Sequence, residues 1–105
     1  LMNKQKLAKM KAGAILINTS RGAIVDENAL IEVLKTGAIA GAGLDVFEQE
    51  PLANNSPLRN LSNVILTPHI GWTVDEVFEE FAQIACTQVS EYLKGTLADS
   101  ELLKN

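Results

Sequence analysis

Cysteine is almost missing from this chain of 105 residues: Cys86 stands alone, which excludes an internal disulfide and a cysteine zinc cluster and suits a reducing cytoplasm. Histidine and tryptophan are as scarce. His69 and Trp72 are the single examples, both inside TPHIGW at 67–72. With no second histidine or cysteine at ligand spacing, no metal site is expected. An excess of positive charge is also missing, since nine basic side chains stand against thirteen acidic ones for a formal net charge of −4. No basic cluster is present to neutralise a phosphate backbone, so nucleic acid is not an expected partner. The apolar runs AGAILI (12–17) and NVILT (63–67) fall far short of the roughly 20 residues that cross a bilayer, so no membrane partner is expected. The start, LMNKQKLAKMKAG, has lysines but no apolar stretch of the signal-peptide kind behind them. No repeat or low-complexity segment occurs. The length suits about one hydrophobic core.

What is present alternates helical and extended patterns. NKQKLAKM (3–10) reads as the end of a helix, punctuated by Gly13. AILIN (14–18) has no polar alternation and is expected to be a strand buried on both faces, as in a parallel sheet. Asp26 is placed to cap a helix over ENALIEVLKT, with Gly37 at its stop. AIAGAGLDVF (38–47) and NVILT (63–67) read as two further strands, separated by the loop EQEPLANNSPLRNLS. From Thr73 the period becomes helical: Thr73 and Glu76 form a T-x-x-E capping box, and Val74, Phe78, Phe81, Ile84, Val89 and Tyr92 recur at helical spacing until Gly95. That face is expected to be buried, with Cys86 as a small core residue. Strand, helix, strand, loop, strand, helix implies an α/β fold, the second half of a doubly wound parallel sheet of Rossmann type followed by a long C-terminal helix. The phosphate-binding G-x-G-x-x-G turn of such sheets is absent, because GAIAGAG (37–43) has the wrong spacing and does not open a helix.

Ligands of open parallel sheets gather beyond the carboxyl ends of the strands. Those ends deliver Asn18-Thr19-Ser20-Arg21-Gly22, then Asp45 with Glu48 and Glu50, then Thr67-Pro68-His69. Arg21 is a bidentate donor suited to a carboxylate, or else a surface arginine that pairs with Asp26 or Glu27. His69 is the side chain suited to proton transfer near neutrality, and a carboxylate on one ring nitrogen, Glu50 or Asp45, would stabilise the protonated ring and fix its tautomer. The alternative is a partly buried histidine satisfied by a backbone carbonyl. Trp72 either walls a small-molecule pocket or packs the start of the long helix.

The segments MKAGAILINTSRGAIVDENALIEVLKTGAIAGAGLDVFEQEP and NVILTPHIGW closely resemble the C-terminal part of the D-isomer-specific 2-hydroxyacid dehydrogenases. Three separated motifs stand in the right order and spacing, and the resemblance covers residues 1 to about 95 of the chain. It implies an enzyme that transfers hydride between NAD or NADP and a D-2-hydroxy or 2-oxo acid such as hydroxypyruvate or glyoxylate. It carries the family's catalytic arginine onto Arg21 (N-x-x-R-G), its glutamate onto Glu50 (D-V-F-x-x-E-P) and its histidine onto His69 (T-P-H). It further implies cofactor contacts by Thr19, Arg21, Asp45 and Gly71, and substrate contacts by Arg21, His69 and Trp72. By the same resemblance residues 1–72 are the C-terminal half of an NAD-binding domain, and 73–105 a helix and tail returning towards a substrate domain. A homodimer is the expected full-length state, and the piece alone is expected to be inactive. Trp72, three residues after His69, is similar to the hydroxypyruvate reductase branch and also to the C-terminal-binding transcriptional corepressors, which implies as an alternative an NAD-binding scaffold for other proteins.

Overall fold

Three short parallel strands frame the chain in the computed structural model, which describes residues 1–97. β1 (Ile15–Asn18), β2 (Gly41–Leu44) and β3 (Val64–Leu66) lie side by side in that order, with Ile17, Gly43 and Ile65 in one cross-strand row. A single helical turn, α1 (Lys4–Leu7), precedes β1, and its Asn3 side chain accepts the Lys6 N–H. α2 (Glu27–Lys35) connects β1 to β2, and the loop from β2 to β3 contains a 3₁₀ turn at Pro57–Asn60. Parallel neighbours need such a crossover, and the α/β, half-doubly-wound reading of the sequence holds.

Local chemistry sets the ends of α2. Asp26 Oδ1 accepts the Ala29 N–H at 3.0 Å, as expected of its N-cap. At the other end Gly37 takes a φ of 70°, its N–H returns to Leu34 O, and the Ala38 N–H returns to Val33 O. These paired bonds close the helix in a Schellman turn. That turn consumes the start of the apolar run expected as strand 38–47, and the strand is therefore only Gly41–Leu44.

The core lies on one face of the sheet. Leu7, Leu30, Ile39 and Leu58 are each only 1% exposed and pack with Leu16, Ala42 and Leu44. Burying a side chain of this kind contributes about 1.5–3 kcal/mol. The opposite face departs from expectation, because Ile15, Ile17 and Ile65 are exposed and β1 alternates outward and inward. An apolar run is compatible with two dry faces, but only one face is covered by the described residues of this unit.

The chain divides into two compact units, Leu1–Gly71 and one that begins at Trp72. The second holds α3 (Asp75–Lys94), closed by Gly95 at φ 68°, as its sequence period requires. Val74, not Thr73, occupies the N-cap position, so the expected capping box is out of register. Phe78, Phe81, Ile84, Val89, Tyr92 and Cys86 are exposed, contrary to the expected buried face. An amphipathic stripe needs a partner surface to become buried, and a single helix offers none to itself. Residues 98–105 of the expected tail lie outside the described residues. Among the described residues no helix is long and apolar enough to cross a membrane.

Candidate active site

The three strand ends are tied to one another before any side chain acts. The Asp45 N–H donates to Asn18 O at 3.0 Å and the Thr67 N–H to Leu44 O at 3.0 Å, which extends both ladders by one bond. Asn18 is 4% exposed and shapes the turn behind β1. Its Nδ2 donates to Arg21 O at 3.0 Å, and its Oδ1 accepts the Ser20 N–H at 3.2 Å. The Arg21 side chain is thereby presented from a fixed backbone; it is exposed, with Nη1 donating to Ser20 O at 2.7 Å. Gly22 lets this turn lie directly on the loop after β2: a Cβ there would stand 1.9 Å from the carbonyl carbon and oxygen of Phe47.

Asp45, 5% exposed, organises the loop after β3. Its Oδ1 accepts the Thr67 hydroxyl and the Ile70 N–H, and its Oδ2 accepts the Gly71 N–H at 2.8 Å. The Thr67 hydroxyl above all, then these two N–H groups, hold the carboxyl below the usual carboxylate range, against the opposing effect of burial. Within this loop His69 adopts φ 57°, a left-handed conformation that costs a non-glycine residue about 1–2 kcal/mol and persists where neighbours enforce it. Asp45 is the neighbour that enforces it, by binding the next two N–H groups.

The His69 ring meets Glu50. Nδ1 lies 2.7 Å from Oε2, while Oε1 accepts the Phe47 N–H at 2.9 Å. The two side chains are 37% and 34% exposed, within reach of a small molecule but not freely solvated. The bond to His69 first, then the Phe47 N–H, then the charges of His69 and Arg21, draw the Glu50 carboxyl below its ordinary range. A recess of about 350 Å³ opens beside the pair, lined by Phe47, Pro51, Leu52, Leu66 and Arg59 among others.

The first unit therefore brings together Arg21, Asp45, Glu50, His69, Thr19 and Gly71, with a Cβ on Gly71 standing 3.9 Å from Thr19 Cβ and 3.0 Å from Asp45 Oδ2. Asp45 accepts from the Thr67 hydroxyl and from the Ile70 and Gly71 N–H groups, so its carboxylate is engaged in holding the His69 loop. Trp72 begins the second unit, where its ring lies 5.1 Å from that of Phe78 at 59°, an arrangement that fits packing at the start of α3. The sequence offers Asn18 as an ordinary strand-end turn residue and Gly22 as a permissive neighbour of Arg21, but it does not show that the Asn18 side chain ties the turn at Ser20 and Arg21. The grip of Asp45 on the His69 loop left no local signal, because its partners lie 22 to 26 residues away. Among the described residues no three His, Cys, Asp or Glu side chains are grouped to hold a metal ion.

Comparison with known proteins gives the family and the fold. Residues 1–71 match the family model described as D-isomer specific 2-hydroxyacid dehydrogenase, NAD binding domain. The chain is 48% identical to a glyoxylate reductase of Thermofilum pendens, over 99% of this chain and 32% of that protein. It is also 48% identical to a glyoxylate/hydroxypyruvate reductase B of Yersinia pestis, over 95% of this chain and 31% of that protein. A solved NADPH-dependent glyoxylate/hydroxypyruvate reductase from Sinorhizobium meliloti, in complex with NADP and malonate, superposes with a TM-score of 0.80 at 35% identity, over 88% of this chain and 28% of the other. The chain thus spans 28–32% of the length of these relatives.

Proposed function

The chain belongs to the D-isomer-specific 2-hydroxyacid dehydrogenases through their NAD-binding domain, and from that premise we propose that it supplies the proton-transfer and carboxylate-binding half of an oxidoreductase acting on a small 2-oxo acid, glyoxylate or hydroxypyruvate, with NAD or NADP. The observation that carries the proposal is the Glu50–His69 hydrogen bond at the ends of the sheet, with the charge of Arg21 near enough to act on Glu50.

Each residue has a chemical task. Arg21 binds the carboxylate of the 2-oxo acid and orients its C2 carbonyl, which converts a chance encounter into a fixed geometry. His69, protonated, donates to the carbonyl oxygen in reduction and takes the proton back in oxidation. Glu50 holds Nδ1, so that Nε2 is the nitrogen presented to substrate, and its negative charge stabilises the imidazolium. When bound, the nicotinamide supplies or accepts the hydride. Thr19, Arg21, Asp45 and the Gly71 backbone would hold its carboxamide, and Trp72 is the aromatic that would wall the substrate pocket. In a longer protein, residues 1–71, which match the NAD-binding family model, would belong to the nucleotide domain. The proposal includes a homodimer and a cytoplasmic setting, the latter supported by the lone cysteine.

The test is reduction by the full-length protein of glyoxylate and of hydroxypyruvate with NADH and NADPH, with the configuration of the hydroxypyruvate product determined. D-product is expected. An L-product, or no turnover with either acid and either cofactor, would refute the proposal.

A further inference from the structure

Arg59 is the one charged residue lining the recess beside His69 and Glu50 to which no role has been given. Its guanidinium is committed to backbone: Nη2 donates to Leu52 O at 2.8 Å and Nε to Ala53 O at 3.0 Å. These carbonyls lie two and three residues after Glu50. The other end of the brace is anchored, since Arg59 stands in the 3₁₀ turn next to Leu58, which is 1% exposed in the core. Within that turn the Ser56 N–H donates to Ala53 O, the Arg59 N–H to Ser56 O, and the Leu58 N–H to Ser56 Oγ. Arg59 thus adds a side-chain staple to a segment that Leu52 also packs against the core and the Ser56 N–H ties at Ala53. Among the described residues the Glu50 carboxylate accepts the Phe47 N–H and meets His69.

We propose that Arg59 is a positioning residue of the proton-transfer pair: by gripping the carbonyls of Leu52 and Ala53 with one planar fork it fixes the segment that carries Glu50, and so fixes the carboxylate against His69. The inference rests on the function proposed above. A guanidinium can span two adjacent carbonyls with separate N–H groups, whereas a lysine ammonium is a single point on a flexible stem. The charged groups around His69 are Glu50 in contact, then Asp45 and Arg21, with Arg59 on the recess wall. Two effects of removing Arg59 therefore have opposite signs. Loosening the Glu50 carboxylate weakens its support of the protonated ring, so reduction fails at a lower pH. Loss of a nearby positive charge, acting alone, would move the failure to a higher pH.

The experiment is the pH profile of glyoxylate reduction by the full-length protein at saturating cofactor, for the wild type, Arg59→Lys, Arg59→Met and His69→Ala. The staple predicts that in Arg59→Met kcat falls about tenfold, KM stays within about twofold, and the pH of half-maximal reduction drops by about half a unit or more. Arg59→Lys keeps the charge but not the fork, and it should shift the same way by less. A midpoint that stays in place or rises in both variants, or a KM that rises with kcat intact, would overturn the proposal; the last result would make Arg59 a substrate contact. His69→Ala separates the two readings: if it reduces glyoxylate as the wild type does, the proposed function fails first, whereas an inert His69→Ala beside unshifted Arg59 variants refutes the staple alone.

Discussion

Glu50 is held from both sides of its carboxylate, with Oε2 at 2.7 Å from His69 Nδ1 and Oε1 at 2.9 Å from the Phe47 nitrogen. The charge as well as the shape of this group matters, because a protonated ring beside a carboxylate is stabilised and one beside a neutral amide is not. In Glu50→Gln the full-length protein should lose reduction of glyoxylate by about tenfold or more at neutral pH, with KM within about twofold. Its activity should also begin to fall at lower pH than that of the wild type. Steady-state kinetics across pH check both.

Asp45 and Glu50 have folded-state carboxyls below their ordinary range, Asp45 mainly through the Thr67 hydroxyl and Glu50 mainly through His69. The unfolded chain therefore binds more protons than the folded one as pH falls. The stability they contribute is fully present above the ordinary carboxylate range and is lost as pH drops through the lowered folded values. Urea unfolding from about pH 7 to about pH 3 should show this acid slope, and Asp45→Asn should flatten it while lowering stability at neutral pH.

Gly22 marks the closest contact between the Arg21 turn and the loop that leads to Glu50. A Cβ 1.9 Å from the Phe47 carbonyl cannot be accommodated by a side-chain movement, since the obstruction is backbone. Gly22→Ala should destabilise the protein by about 1–3 kcal/mol and raise KM for the 2-oxo acid as Arg21 is displaced. Gly13→Ala, which meets nothing within 4 Å, should stay within about 0.5 kcal/mol of the wild type.

Asn18 fixes the same turn from below. Asn18→Ala removes an acceptor for the Ser20 N–H and a donor to Arg21 O at a position only 4% exposed. The expected cost is about 1–3 kcal/mol of stability, with a higher KM for the 2-oxo acid. Denaturant melts and substrate titrations are the measurements.

The legible parts of this molecule are the ones that short stretches decide. Asp26 as N-cap and Gly37 and Gly95 as helix stops are local signals that appear where expected, and each of the three apolar runs contains a strand, though the second is only Gly41–Leu44. Strand order then follows from the crossover, and His69 and Glu50 meet because both leave the sheet at its carboxyl end. What was illegible depends on partners. The exposed face of Ile15, Ile17 and Ile65 and the exposed stripe of α3 show the same apolar pattern as buried elements, because periodicity alone does not say whether a partner surface covers it. Asp45 stood by its place as a possible partner of His69 and by resemblance as a cofactor contact, since nothing local announces that its carboxylate gathers Thr67, Ile70 and Gly71. Arg59 sits in a loop without period, and its grip on two carbonyls could be seen only in three dimensions.

The most direct measurement of the central claim is glyoxylate reduction by full-length His69→Gln at saturating substrate and cofactor, with NADH and NADPH binding determined on the same sample. The account predicts kcat lowered by about 10²–10⁴-fold with cofactor affinity within about twofold of the wild type. A rate within about threefold of the wild type, with cofactor binding intact, would contradict it.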